Sequence, residues 1–377
     1  MRIQSYSPTI RRREMDAVLT CMVGEKIGPG DLNAQLVQYV REVFGVDGAV
    51  ALRSPSIALK YIFRALDLSS GDGVLLSALA PMWQFQTVEE LGFRPVVIDV
   101  AAETGQVTVE TVAGGMKDGA KVLILHETLG FLPDISGILE LGIPVVEDIS
   151  QSAGASLGEK RAGTFGVFSI LGLEEQDMLT AGGGAVLMAP GRREWIVLKK
   201  LAAEGPVTDI LPDINAALGY VQLKERPRND GVRREMHTLY TGSLMQRGGF
   251  LSLSETDTVA ETDTGTGAET AAPVPGGASA RSGHRTIIQS GDAVIPAVYS
   301  FPVILSSGYK EIKQYAARKE IDIIPAFEKT IAASLGDDLE GCINAKSLLL
   351  RCVLFPLYPR LGSSRAAKVA KVLATLP

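Results

Sequence analysis

Three short segments of the sequence combine polar side chains with turn-forming residues directly after an apolar run. They are LRSPSIAL at residues 52–59, VVEDISQSAGA at 145–155 and FSILGLEEQDMLTAGGGAVL at 168–187. Each apolar run is typical of a buried strand. Because open α/β sheets bind ligands at the carboxyl ends of their strands, the three segments are candidates for parts of one site.

The first segment allows two interpretations of Ser54, Pro55 and Ser56. A helix that begins here would present its N-terminal amides to an anion such as a phosphate. The same residues are also typical of a helix cap, in which Ser54 or Ser56 accepts free amides and Pro55 occupies the first turn. The cap is the more common use, and this segment alone leaves both open.

The residues of the other two segments also allow more than one interpretation. Asp148 follows Glu147 at a strand end, where a carboxylate could cap the next helix, meet a cation or hold a protonated ring nitrogen. Residues 174–177 form a turn of three acids and one glutamine. The glycines at 182–184 fit a tight turn between two strands.

Length, composition and net charge limit the number of domains and the kind of partner that can be expected. The chain has 377 residues, of which 46% are hydrophobic and 21% charged, and a net charge of -6. The length predicts one large domain with a smaller companion. A mildly acidic protein has no basic field to attract nucleic acid, so no nucleic-acid partner is expected.

The cysteines and histidines do not predict a disulfide or a metal site, and the sequence predicts no membrane segment. Cys21, Cys342 and Cys352 lack paired or metal-like spacing, so they are expected to be free, buried thiols. The three histidines do not cluster, and no metal site is expected. The amino terminus lacks an apolar leader and no run is long enough to span a bilayer, which predicts a cytoplasmic protein without a membrane partner.

The elements that must position these residues alternate between strand and helix patterns. This alternation of short Val/Ile/Leu-rich strands with helical segments is typical of a doubly wound α/β fold with a mostly parallel sheet. The predicted strands lie at 49–52, 73–77, 95–99, 121–125 and 144–147, and the predicted helices at 33–44, 56–66, 85–91, 110–116 and 135–141.

The carboxyl-terminal part of the chain has a different pattern. A helical region is predicted at 210–237, and residues 254–283 contain almost no large apolar side chains, which predicts a flexible insertion. A mixture of strands and helices follows, with strands at 297–305 and 322–325 and helices at 310–319, 344–353 and 363–376. We therefore expect a large α/β domain at 1–225 and a smaller α+β domain at 226–377.

Seven segments in order carry a resemblance to a known family. They are IGPGDLNAQLVQYVREVFGVDGAVAL, SPSIAL, LAPMWQFQTV, ELGFRPVVIDV, VVEDISQSAGASLGEKRAGTFGVFSI, PDINAALGYVQL and LFPLYPRL. Together they resemble the DegT/DnrJ/EryC1/StrS family of sugar aminotransferases, which use pyridoxal phosphate (PLP). The resemblance covers nearly the whole chain. It implies a homodimer of the PLP-dependent transferase fold (fold type I), with a mostly parallel seven-stranded sheet and a smaller C-terminal domain.

The resemblance also implies cofactor-binding roles for individual residues. Asp148 matches the acid that pairs with the pyridine nitrogen, and Gln151 matches the residue that contacts the ring hydroxyl. Phe85 matches the aromatic residue that stacks on the ring, with Trp83 as the alternative. Ser169 matches a serine that binds the cofactor phosphate.

Other positions depart from the family pattern. Ser54 and Ser56 lie at the first phosphate turn, but Pro55 stands where the family has glycine. Because proline has no N–H to donate and its ring crowds an anion, phosphate binding should be weaker here. Thr208 and Ile210 stand where the family has an Asn and an Arg that complete the site across the dimer.

The largest departure is the absence of a lysine from residues 174–177. In the family, this lysine forms the Schiff base with PLP and moves a proton between substrate and cofactor. Counting five residues forward from Ser169 reaches Glu174, whereas counting back from the glycine turn reaches Gln176. The nearest lysines in sequence, Lys160 and Lys199, belong to other elements. Loss of the proton-transfer group alone costs about 10²–10⁴-fold in rate, so ordinary transamination is not expected.

Three functional interpretations follow. The first is a degenerate family member that binds a PLP-like or sugar-nucleotide-like ligand, with the cofactor held non-covalently or lost. The second is a dehydratase or lyase that uses non-covalent pyridoxamine phosphate (PMP), with Glu174 or Gln176 in place of the lysine. The third is a non-catalytic partner of an active paralogue.

Overall fold

The structure is a computed structural model that describes residues 2–245, 284–287, 293–306 and 308–377. The insertion predicted at 254–283 lies outside the described residues. Within the described ranges, no helix combines the length and apolar character needed to cross a membrane. The three cysteines are buried and free, as predicted.

The helices of the described residues are numbered along the chain. They are α1 (Arg12–Val23), α2 (Asp31–Phe44), α3 (Pro55–Ala65), α4 (Met82–Glu90), α5 (Val109–Lys117), α6 (Ile135–Glu140), α7 (Arg192–Glu204), α8 (Asp213–Met245), α9 (Tyr309–Arg318), α10 (Ile331–Leu335), α11 (Ile343–Arg351) and α12 (Ser363–Leu373).

The strands are numbered in the same way. They are β1 (Gly48–Leu52), β2 (Gly73–Ser77), β3 (Arg94–Ile98), β4 (Ala120–His126), β5 (Val145–Asp148), β6 (Ser156–Leu157), β7 (Lys160–Arg161), β8 (Phe168–Gly172), β9 (Ala185–Ala189), β10 (Arg285–Thr286), β11 (Val294–Ile295), β12 (Phe301–Ile304), β13 (Ile324–Pro325) and β14 (Cys352–Phe355).

A seven-stranded sheet in the order β1-β9-β8-β5-β4-β2-β3 forms the large domain. Only β9 runs against the other six strands. In β2, Leu75 packs in the apolar cluster that includes α5 and α6, whereas Val74 and Leu76 pack in the cluster that includes α3 and α7. The strands are mostly apolar because both faces of the sheet are covered, which confirms the predicted α/β class.

The small domain is built on a second, antiparallel sheet in the order β10-β12-β14-β13. Its core includes residues of α9, α12 and the second half of α8, among them the fully buried Tyr240. The strand predicted at 297–305 is shorter, at Phe301–Ile304. The domain boundary predicted at residue 225 falls inside α8 and stays a prediction.

Helix α8 links the two domains and fixes the amino-terminal segment. Its first residue, Asp213, accepts hydrogen bonds from the amides of Gly30 and Asn33 at 2.9 and 2.8 Å. These are amides of the first turn of α2, which a carboxylate can satisfy. The helix begins at Asp213, directly after Pro212, and not at 210.

Candidate functional site

A cavity of about 420 Å³ lies at the carboxyl ends of the central strands. His126 ends β4, Asp148 ends β5, and the acidic turn of residues 174–177 follows β8. The small domain supplies the opposite wall, at residues 324–330. The lining residues are Ser5, Tyr6, Pro55, Leu79, Pro81, Trp83, His126, Thr128, Leu129, Asp148, Ser150, Gln151, Glu174, Glu175, Gln176, Asp177, Arg233, Tyr299, Ser300, Ile324, Pro325, Ala326, Phe327, Glu328, Lys329, Thr330, Leu354 and Phe355.

Asp148 is buried at the base of this cavity and accepts hydrogen bonds at both carboxylate oxygens. Oδ2 accepts from Nε2 of Gln84 at 2.7 Å and lies 2.8 Å from Nδ1 of His126. Oδ1 accepts from the amide of Ser150 at 3.1 Å and from its hydroxyl. Burial raises the pKa of Asp148, but His126 and the hydrogen bonds from Ser150 outweigh that effect and lower it. The carboxylate is therefore held in its charged form.

Gln84 and His126 were missed by the sequence-based prediction. His126 stands one residue past the strand predicted at 121–125, and it pairs in register with Asp148 on the adjacent parallel strand. The rule that ligands lie at strand ends could have included it. Gln84 lies between Trp83 and Phe85 in the sequence. Its residue type alone does not indicate a role in the site.

The acidic turn is closed by its own side chains. The amide of Glu174 donates to Oδ2 of Asp177 at 2.8 Å, and Oε1 of Glu174 accepts from the amide of Gly184 at 3.2 Å. Burial, followed by the charges of Asp148 and Glu174, raises the pKa of Asp177 to about 8, although its hydrogen bond to the Glu174 amide acts in the opposite direction. Asp177 therefore holds a proton at neutral pH.

Two tyrosines hold the backbone of the acidic turn. The hydroxyl of Tyr6 donates to the carbonyl of Glu175, and that of Tyr299 donates to the carbonyl of Gln176 at 2.7 Å. Nζ of Lys329 lies 3.4 Å from the side-chain oxygen of Gln176. The turn thus meets the amino-terminal segment and the small domain.

Ser54 and Ser56, which were predicted to bind a phosphate, form hydrogen bonds within the protein and do not line the cavity. The hydroxyl of Ser54 accepts from the amide of Ile57 at 3.2 Å, so Ser54 caps α3. The hydroxyl of Ser56 accepts from that of Thr87 at 2.8 Å. Of Ser54, Pro55 and Ser56, only Pro55 lines the cavity.

Ser169 is also engaged within the protein. It is buried in β8, and its hydroxyl donates to the carbonyl of Gly163 at 2.8 Å. It is not among the residues that line the cavity. Its role as a phosphate ligand stays a prediction.

The predicted ring-binding residues are partly brought together. Trp83 and Gln151 line the cavity, and Oε1 of Gln151 accepts from the amide of Leu129 at 2.7 Å. Phe85 is not among the lining residues, and it packs in the apolar cluster beside α3. The structure therefore brings the alternative aromatic residue, Trp83, into one cavity with Asp148.

Two further buried carboxyl groups, those of Glu127 and Glu147, lie behind Asp148. Glu147 accepts three amides at 2.7 Å, those of Gly163, Phe165 and Gly166, and so fixes the loop before β8. Burial and the charge of Glu147 raise the pKa of Glu127 well above its ordinary value. The raised pKa of Glu127 favours its protonated form, which relieves repulsion between the two acids, and Glu147 holds the loop before β8.

Comparison with a family model relates the site to known proteins. The model of the DegT/DnrJ/EryC1/StrS aminotransferase family matches residues 8–319. This range includes every predicted cofactor-binding residue and the acidic turn. It ends before residue 324, where the cavity wall supplied by β13 and the following segment begins.

A sequence relative and two solved structures are similar to this chain. The dTDP-4-dehydro-2,3,6-trideoxy-D-glucose 4-aminotransferase of Saccharopolyspora spinosa is 26% identical over 279 residues, which are 66% of this chain and 72% of the relative. The aminotransferase TlmJ of Streptoalloteichus hindustanus matches with a TM-score of 0.80 at 20% identity, covering 99% of this chain and 98% of its own. The E coli GDP-4-keto-6-deoxy-D-mannose-3-dehydratase with bound hydrated PLP matches with a TM-score of 0.78 at 16% identity, covering 99% of both chains.

Proposed function

The chain belongs to the DegT/DnrJ/EryC1/StrS aminotransferase family, and from this premise we propose that it binds a PLP- or PMP-like cofactor, or a sugar-nucleotide-like ligand, without ordinary transamination. The observation that carries this proposal is the acidic turn. Glu174, Glu175, Gln176 and Asp177 all line the cavity, and none of them can form an imine with an aldehyde.

The lining residues fit the ring of such a cofactor. Asp148 presents a buried carboxylate whose charge could face a protonated ring nitrogen, and Trp83 offers an aromatic surface in the same cavity. A bound cofactor would supply an electron-withdrawing ring at this position. Gln84, His126 and Ser150 would orient the Asp148 carboxylate toward it.

The lining residues fit the cofactor phosphate poorly. The hydroxyl of Ser54 is used by its own helix, and Pro55 has no amide hydrogen to donate. We therefore propose that the cofactor is held mainly by its ring and without a covalent bond to the acidic turn.

A second candidate function is a PMP-dependent dehydratase or lyase. The observation that favours it is Asp177, whose pKa of about 8 lets it accept or donate a proton near neutral pH. The sequence placed Glu174 or Gln176 where the lysine was and offered Glu174 or Glu175 as the replacement base. We add Asp177 to these candidate bases. The homodimer and the cytoplasmic location expected from the sequence remain predictions.

Fluorescence titration tests the proposed binding. Trp83 lines the cavity and Trp195 does not, so PMP should quench the wild-type protein and Trp195→Phe saturably, and quench Trp83→Phe much less. No saturable change at millimolar PMP would overturn the proposal. Conversion of PLP to PMP by an amino donor, at the rate of an active relative, would contradict the absence of transamination.

A further inference from the structure

The small domain places a lysine against the acidic turn. Nζ of Lys329 lies 3.4 Å from Oε1 of Gln176, which is one of the two positions that match the missing lysine. Among the described residues that line the cavity, Lys329 is the only lysine. From this contact we propose that Lys329 supplies, from the small domain, the amine that the acidic turn lacks. The inference rests on the proposed binding of a PLP-like ligand.

The backbone of Lys329 is fixed at the rim of the cavity. Its carbonyl accepts the amide of Met82 at 3.0 Å, and the amide of Ile331 donates to the carbonyl of Ala80 at 2.9 Å. Thr330 is buried between them and caps α10. The segment is therefore attached to the start of α4, the helix that carries Trp83 and Gln84.

The side chain of Lys329, in contrast, is held less firmly than its backbone. It is exposed, and the contact with Gln176 is a single long hydrogen bond to a neutral amide. Such a contact costs little to break. A flexible four-carbon side chain on a fixed backbone can therefore turn from Gln176 into the cavity that it shares with Asp148 and Trp83.

The chemistry is the condensation of an amine with an aldehyde. After its ammonium released a proton to solvent, the amine of Lys329 would add to the aldehyde carbon of PLP. The two remaining amine protons would leave with the carbonyl oxygen as water, and a C=N bond would form. No oxidant or reductant is needed. PMP carries an amine in place of the aldehyde, so it can occupy the same cavity but cannot form this bond.

Borohydride trapping tests the inference on the full-length protein. Wild type, Lys329→Arg and Lys199→Arg are incubated with PLP, reduced with borohydride and digested, and the modified lysine is located by mass spectrometry. Lys199 serves as the control because it is one of the two lysines nearest to the acidic turn in sequence. A parallel set contains excess PMP as a competitor.

We expect close to one label per chain, on Lys329, which excess PMP prevents. Lys329→Arg should lose this label and still bind PMP within about threefold of wild type, since arginine keeps the charge, whereas Lys199→Arg should keep it. Absence of a label on Lys329, or a label that PMP does not prevent, overturns the inference. Failure of wild type to bind PMP is the separate result that overturns the proposed function.

Discussion

Asp177→Asn should make the stability of the protein less sensitive to pH. The carboxyl group has a pKa of about 8 in the folded protein against 3.8 for the ordinary side chain. A raised pKa means that the folded state binds the proton more tightly than the unfolded state, so stability falls as pH rises from about 4 to about 8. Asparagine resembles the protonated acid and can still accept the amide of Glu174.

The size of the effect follows from the shift in pKa. A shift of about four pH units, at about 1.36 kcal/mol per unit, corresponds to about 5–6 kcal/mol. We therefore expect an effect that approaches about 5–6 kcal/mol, reduced to the extent that the partly exposed carboxylate keeps contact with water. The advantage of the variant should be near zero at pH 4 and constant above pH 8.

Thermal unfolding followed between pH 5 and 9 measures this difference. For a chain of this length, about 5 kcal/mol corresponds to roughly 5–10 °C in the apparent melting temperature. The exposed Asp337 provides a control, because Asp337→Asn should leave the pH profile of the wild type unchanged. An Asp177→Asn variant whose difference from wild type does not grow with pH would refute the reasoning.

Three further changes probe other parts of the site. Gln84→Met removes a donor from the buried Asp148 and should cost about 1–3 kcal/mol, measured by thermal unfolding. Ser54→Ala removes the cap on the amide of Ile57 and should cost about 1 kcal/mol in the same measurement. Glu174→Lys restores an amine to the cavity lining and should add a PLP label at residue 174 after borohydride reduction, located by mass spectrometry.

Each of these changes has a control nearby. Gln86 is an exposed neighbour of Gln84 on α4, so Gln86→Met should leave the melting temperature within about 1 °C; an equal loss in both variants would contradict the role given to Gln84. For Ser54, glycine should restore most of the stability that alanine loses, because it is tolerated at a cap. Glu204→Lys places a lysine on the exposed end of α7 and should gain no label that PMP prevents.

The large domain could be predicted because its signals are local. The strand predicted at 73–77 has the bounds of β2, because five buried residues are followed by a turn. The strand-end rule placed Asp148 and the acidic turn in one cavity, as parallel strands with adjacent ends require. The contact between Asp213 and the start of α2 was missed, because the two residues that form it are 180 residues apart in sequence.

The contacts of the site could be predicted less well than its location. The serines were candidates by type, but a hydroxyl can serve its own helix or a neighbouring strand, and Ser54 and Ser169 do so. Lys329 carried no signal at all. It meets Gln176 only because the small domain folds back over the sheet, a contact across 153 residues.

The continuous helix α8 sets the rotation of the small domain relative to the large domain. That rotation depends on the number of residues in the helix. Its 33 residues extend over about 50 Å, and each residue advances the helix by about 1.5 Å and 100°. One residue inserted between Gln222 and Arg233 would turn everything beyond it by that angle. The buried guanidinium of Arg233, which holds the carbonyl of Tyr299, would then face elsewhere. Length changes in α8 should therefore be tolerated only in multiples that restore the helical phase.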